Sequence, residues 1–264
     1  MIILILAVII SLIPALALYL WMKNRIKEEE AYKTLCSSAL KRGLLCVFPV
    51  LLVSLAFQIL IRLTGIKEVN LLLYEALYTF IVLALAEELV KYQAFRRTLK
   101  KTDYRVSWLD VTVLMTIVGI GFDLIESIVY AIGASVPVIL IRGIGIPHVG
   151  YGFLVGYFYG KGVKSGKPAV KWTGFVLAWL LHGMYDFSLS ESFMALNDNL
   201  MFVALALAVL DIVLVIMLIR FVRKAKKQKT YMEPLPLMQA HKGAVNQHEQ
   251  KYRKETICSD RTDH

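Results

Sequence analysis

The chain has 264 residues, of which 58% are hydrophobic, and its formal net charge is +10. One soluble core of this size cannot hide so much apolar surface, so lipid must cover the excess, and a soluble globular domain is excluded. The basic residues flank the apolar runs, where they set membrane orientation, so nucleic acid is excluded as a partner.

A single crossing needs roughly 20 consecutive apolar residues. The sequence predicts an all-α, polytopic transmembrane helix bundle of about seven such spans, near 2–22, 43–63, 73–95, 108–132, 136–160, 172–190 and 199–221. No basic residue precedes the first run, whereas Lys23, Arg25 and Lys27 follow it. That order is the reverse of a secretory signal, so the first run reads as a span. The basic loop after span one also holds Lys33, Lys41 and Arg42. Further basic loops contain Arg96, Arg97, Lys100, Lys101 and Arg105, then Lys161, Lys164, Lys167 and Lys171, then Arg223 to Lys229. The alternate loops hold little basic charge, Lys67 apart. The positive-inside rule then places the N-terminus outside and the C-terminus in the cytoplasm. Residues 1–221 form the membrane-embedded domain. Residues 222–264 read as a basic, disordered cytoplasmic tail without apolar period. Anionic lipid is the expected partner of the basic loops and of the start of this tail. Cys36, Cys46 and Cys258 are scattered and give neither a disulfide framework nor a metal-ligand spacing.

Ionisable residues inside spans are costly, which makes each a functional candidate. Span three carries Glu87, Glu88 and Lys91. Adjacent carboxylates repel in a low dielectric, Lys91 can pair with either from one helical turn away, and one carboxylate could act as general base on water. The bland alternative is a helix end whose charges reach the cytoplasmic interface. Span four places Phe122 and Glu126 on one face. His148 falls in span five and His182 in span six, and the other three histidines lie in the tail. Asp186, one turn after His182, can fix its tautomer. At about 1.5 Å of rise per residue, Glu87, His148 and His182 fall near the midplane, and Glu126 and Asp186 nearer the outside. A cavity lined by them would open toward the extracytoplasmic half.

These residues resemble the PrsW family of membrane-embedded proteases, which is related to the CAAX-processing and bacteriocin-immunity proteases. The resemblance rests on Glu87-Glu88-x-x-Lys91, Phe122-x-x-x-Glu126, His148 followed by Gly156-Tyr157-Phe158-Tyr159-Gly160-Lys161, and Leu181-His182-Gly183-Met184-Tyr185-Asp186-Phe187. It implies hydrolysis of peptide bonds in a membrane protein substrate, for which the family's type is an anti-sigma factor cleaved in regulated proteolysis. Glu87 or Glu88 would be the base, and His182, oriented by Asp186, the proton donor or oxyanion stabiliser. Glu126 and His148 would support the site, and Lys91 would tune the glutamates. Glu126, His148 and His182 are candidate ligands for zinc or another divalent metal, although no His-Glu-x-x-His pair is present. The competing reading is a non-catalytic membrane protein, either a proton-coupled transporter or a scaffold with a degenerate site. A transporter would show paired repeats with broken helices, and no repeat is visible.

Overall fold

The computed structural model describes residues 2–64, 70–130 and 146–236. Among them every regular element is helical; an isolated bridge joins Ser107 and Pro234. In chain order the helices are α1 (Ile2–Arg25), α2 (Glu30–Leu45), α3 (Val47–Thr64), α4 (Leu71–Leu77), a π-helical stretch (Tyr78–Leu85) and α5 (Ala86–Lys100). They continue with α6 (Trp108–Tyr130), α7 (Pro147–Lys164), α8 (Pro168–Ser188), α9 (Glu191–Met194), α10 (Met201–Lys227) and α11 (Lys229–Met232).

The centre is the pair α6 and α7. Helix α6 opens with a reciprocal cap: the Ser107 N–H donates to Asp110 Oδ2 at 2.7 Å, and the Asp110 N–H donates to Ser107 Oγ at 3.2 Å. Two N–H groups that the helix leaves unpaired are thereby satisfied. Asp110 is buried, and Lys27 neutralises it at 2.8 Å. Gly152, Gly156 and Gly160 recur every fourth residue of α7 and meet Thr116, Thr112 and Trp108 of α6 in reverse order. The helices are therefore antiparallel. A Cβ at Gly156 would lie 2.8 Å from the Thr112 backbone, so the small residues are what permit the approach. The other helices pack around this pair: α2 against α6, α8 and α10 against α7, and the π-helical stretch against α8.

Four described helical segments are long and apolar enough to cross a membrane: 5–25, 30–64, 108–129 and 201–227. All but 108–129, which is the buried centre of the bundle, have broad exposed faces that carry Ile, Leu, Val and Phe, as a lipid-facing surface requires. The helices expected as spans three, five and six (71–100, 147–164 and 168–188) instead carry polar groups turned toward neighbouring helices. Residues 23–42, expected as a loop, are largely helical. Tyr32, Leu35, Cys36, Ala39 and Gly43 of α2 recur at helical spacing and bury one face. Of expected span five, 136–145 lies outside the described residues, and His148 falls in the first turn of α7, not deep within a helix. Of the expected tail, 222–227 continues α10. Residues 228–236 fold back, with the Tyr231 ring 4.9 Å from that of Trp108 and the Leu235 N–H donating to the Val106 carbonyl at 2.8 Å. Residues 237–264 lie outside the described residues.

Candidate active site

The π-helical stretch ends at Leu85, two residues before Glu87. Within it the Phe80 carbonyl accepts a hydrogen bond from Trp179 Nε1 of α8 at 2.7 Å. One turn further along α8, Gly183 lies on the Phe80 ring, where a Cβ would meet Phe80 Cδ1 at 2.5 Å. These contacts press α8 against the helix leading into the glutamate pair, and so bring His182 opposite Glu88. Widened π turns inside longer helices are frequent at functional sites.

Glu87, Glu88, Lys91, His148 and His182 are all buried. Lys91 Nζ lies 2.6 Å from Glu88 Oε1 and 3.8 Å from Glu87 Oε2. It also donates to His148 Nδ1 at 2.9 Å and sits 4.5 Å from the Phe122 ring centre. An ammonium has donors only, so His148 Nδ1 is the acceptor and its proton is on Nε2. That nitrogen is in hydrogen-bond contact with Glu126. Phe122 also meets the His148 ring edge to face, with centroids 4.9 Å apart. Gly119 of α6 allows this seat, because a Cβ there would lie 2.3 Å from the His148 carbonyl oxygen.

His182 Nδ1 lies 3.1 Å from Glu88 Oε1, and its Nε2 lies 3.2 Å from Asp186 Oδ2 and 3.7 Å from Glu87 Oε2. Doubly protonated, the ring donates to both Glu88 and Asp186; neutral, it donates to one of them. The two imidazoles stand 5.0 Å apart, nearly perpendicular. All eight residues anticipated from the sequence thus converge.

The two glutamates differ in how they are held. Glu88 Oε1 is engaged at close range by both Lys91 and His182, whereas Glu87 Oε2 meets the same two groups only at 3.8 and 3.7 Å; Glu87 Oε2 and Glu88 Oε2 are both buried without a hydrogen bond. Glu87, His148 and His182 offer one donor atom each within 4.8 Å of one another. Two imidazoles and a carboxylate are a donor set that zinc accepts, but His148 would first have to give up its bond from Lys91 or its proton toward Glu126 to offer a lone pair. A second set within the same distance is Asp123, Glu126 and His148. His148 is common to both. The trio expected from the sequence, Glu126, His148 and His182, is split between them.

The sequence reading passed over Asp123, which is buried in the same helical turn as Phe122 and Glu126, and Tyr151, which stacks on His182. Asp123 was visible as an acid in an apolar run. Tyr151 carried no such signal, since a tyrosine in a span is ordinary.

The sequence model of a family described as "PrsW family intramembrane metalloprotease" matches residues 30–219. A protein named Protease PrsW from Oceanobacillus iheyensis is 28% identical over 185 residues, covering 67% of this chain and 79% of the relative. Protease PrsW from Bacillus subtilis shows the same identity and coverage. The Geobacillus kaustophilus protein of that name is 29% identical over 156 residues, covering 56% of this chain and 63% of the relative. No solved structure matches the chain.

Proposed function

Because the chain belongs to the PrsW family of intramembrane metalloproteases, we propose that it hydrolyses peptide bonds of membrane protein substrates, with Glu87 as the group that contacts the attacking water. The observation that carries this assignment is the difference in hold: Glu88 is bonded to Lys91 at 2.6 Å and to His182 at 3.1 Å, whereas Glu87 Oε2 stands 3.8 and 3.7 Å from the same groups and makes no hydrogen bond. A buried carboxylate oxygen without a hydrogen bond is costly unless something is to be bound there. Glu88 is occupied by Lys91 and His182 and serves to hold both.

In the hydrolysis, Glu87 removes a proton from water as the water oxygen bonds to the scissile carbonyl carbon. His182, oriented by Asp186 and Glu88, gives a proton to the amide nitrogen as the carbon–nitrogen bond breaks. The products are a carboxylic acid and an amine, which part as carboxylate and ammonium once the acid's proton passes to the amine, and the proton on Glu87 returns His182 to its starting state. Lys91 balances the charge of the pair throughout and fixes the tautomer of His148. Glu87, His148 and His182 are the residues that would hold a divalent metal, His148 by exchanging its Lys91 or Glu126 bond for the ion. Such an ion, when bound, supplies Lewis-acid polarisation of the carbonyl.

The same reading includes seven crossings, an outside N-terminus, a cytoplasmic tail and entry of substrate from the extracytoplasmic half. The supporting argument is charge: basic residues cluster at the ends of α1, α5, α7 and α10. Asp186 lies about 6 Å beyond His182 along α8, toward the less basic side. Single-pass membrane proteins of the anti-sigma type are the proposed substrates, and anionic lipid the proposed neighbour of the basic ends. The experiment is cleavage of candidate single-pass proteins by the purified protein in proteoliposomes. Cleavage by wild type and none by Glu87→Gln is expected. Equal cleavage by both would overturn the assignment.

A further inference from the structure

Helix α4 buries none of its residues. It runs without a break into the π-helical stretch, and so into the glutamate pair. A segment that buries so little opens at low cost unless it is tied. One tie comes from far along the chain. The Ser192 N–H of α9 donates to Glu75 Oε2 of α4 at 3.0 Å, and the Ser192 hydroxyl donates to the same oxygen. On the other flank Tyr74 and Tyr78 stack on Phe57 of α3, with centroids 6.4 and 5.9 Å away. The Tyr78 and Ser54 hydroxyls share a hydrogen bond of 2.8 Å. Tyr78 is the first residue of the π-helical stretch, so the widened turns begin at a pinned point. Sharp bends in long helices fall at such widened turns.

We propose that α4 is the gate arm of the active site: it pivots on the π-helical stretch, is latched shut by Glu75 to Ser192, and swings aside to admit the substrate chain. The proposal rests on the protease reading above. Helix α9 follows Asp186 closely in the chain and packs on α4, so arm and latch lie on the Asp186 side of the site. That is the side on which the site is least covered. The Glu126 and Asp186 side chains are 13% and 14% exposed, against 6% and 0% for Glu87 and Glu88. An aromatic row of Phe80, Phe187 and Phe193, with centroids 6.0 and 5.1 Å apart, runs from the π-helical stretch to α9 beside the latch. A half-buried carboxylate suits a latch that must open. Water, or the N–H groups of an incoming peptide, can take the place of Ser192, so release leaves no carboxylate stranded without a donor. Motion of the arm reaches the chemistry directly, because the pivot ends two residues before Glu87.

The test is the distance between spin labels at Leu73→Cys on α4 and Leu196→Cys beyond α9, both exposed positions, in the full-length protein freed of its own cysteines and held in liposomes. With the latch intact, one short distance should dominate over a minor longer one. Glu75→Ala should raise the longer population about tenfold, equivalent to ~1.4 kcal/mol, the low end for a hydrogen bond to a charged group. Ser192→Ala keeps the backbone N–H bond and should give a smaller rise; it decides the matter should Glu75→Ala fail to fold. Distances unchanged in both variants would overturn the latch. A covalent lock tests the gate itself. Glu75→Cys with Ser192→Cys, bridged by a bis-methanethiosulfonate, should stop cleavage of a single-pass substrate in proteoliposomes, and reductant should restore it. Undiminished cleavage by the bridged protein would overturn the gate. The spin-label distances need no substrate, so a protein that cleaves nothing in any form would sink the protease reading while the distances still decide the latch.

Discussion

Glu87 and Glu88 are neighbours of identical chemistry, yet the structure predicts opposite consequences for their amides. In Glu88→Gln the charge is lost from an oxygen bonded to Lys91 at 2.6 Å and to His182 at 3.1 Å. Hydrogen bonds to charged groups contribute about 1.5–3 kcal/mol each. Losing the charge from two, and leaving Lys91 buried with a weaker partner, should cost about 3–5 kcal/mol of stability. In Glu87→Gln the affected Oε2 has no hydrogen bond, and its charged neighbours stand at 3.7 and 3.8 Å. The attraction lost is offset by relief of the carboxylate's own desolvation, so stability should change by less than about 1 kcal/mol. Activity should vanish in Glu87→Gln all the same, because glutamine cannot take the proton from water. Stability is measured by reversible unfolding of the purified variants in mixed micelles, and activity by cleavage of a single-pass substrate in proteoliposomes. A Glu88→Gln protein as stable as wild type would refute the anchoring role of Glu88. A Glu87→Gln protein that is strongly destabilised, or that still cleaves, would refute the division of labour.

Three further outcomes follow from the same geometry. A strong chelator should stop cleavage and added zinc should restore it, with bound metal measured by elemental analysis of the purified protein; intact activity in metal-free protein would leave Glu87 acting without an ion. Gly119→Ala should destabilise by about 1–3 kcal/mol and slow cleavage by about 100-fold, because its Cβ would lie 2.3 Å from the His148 carbonyl and displace that residue. Gly166→Ala, where nothing lies within 4 Å but φ is +67°, should cost about 1 kcal/mol of stability from backbone strain and still cleave at the wild-type rate. In a cysteine-free background, Asn197→Cys should react with an impermeant thiol reagent added outside intact cells and Ser165→Cys should not. Both positions are exposed, whereas the Ser190 hydroxyl, in the same connection as Asn197, is buried and would be a poor probe; the reverse labelling pattern would overturn the proposed topology.

Much was legible in the sequence because the bilayer imposes strong rules. Apolar runs long enough to cross lipid can be counted, and an ionisable residue within one is rare enough to be noticed. Glu87, Glu88, Lys91, Glu126, His148, His182 and Asp186 were found that way, with Phe122 added by its place one turn before Glu126. The sequence also shows glycines every fourth residue in α7, but which helix they admit is a matter of packing. Only the tertiary structure set α6 against α7, and only it seated His148 on Gly119 in the first turn of α7. It alone separated the two glutamates, since their difference is which oxygen faces Lys91 and His182, and neighbours in sequence look alike until helices from elsewhere arrive. It also stacked Tyr151 of α7 on the imidazole that α8 supplies. The reason is physical: burial of a charge is a local property that composition reveals, whereas the partner that makes the burial tolerable lies across a helix interface, at a separation the linear chain does not encode.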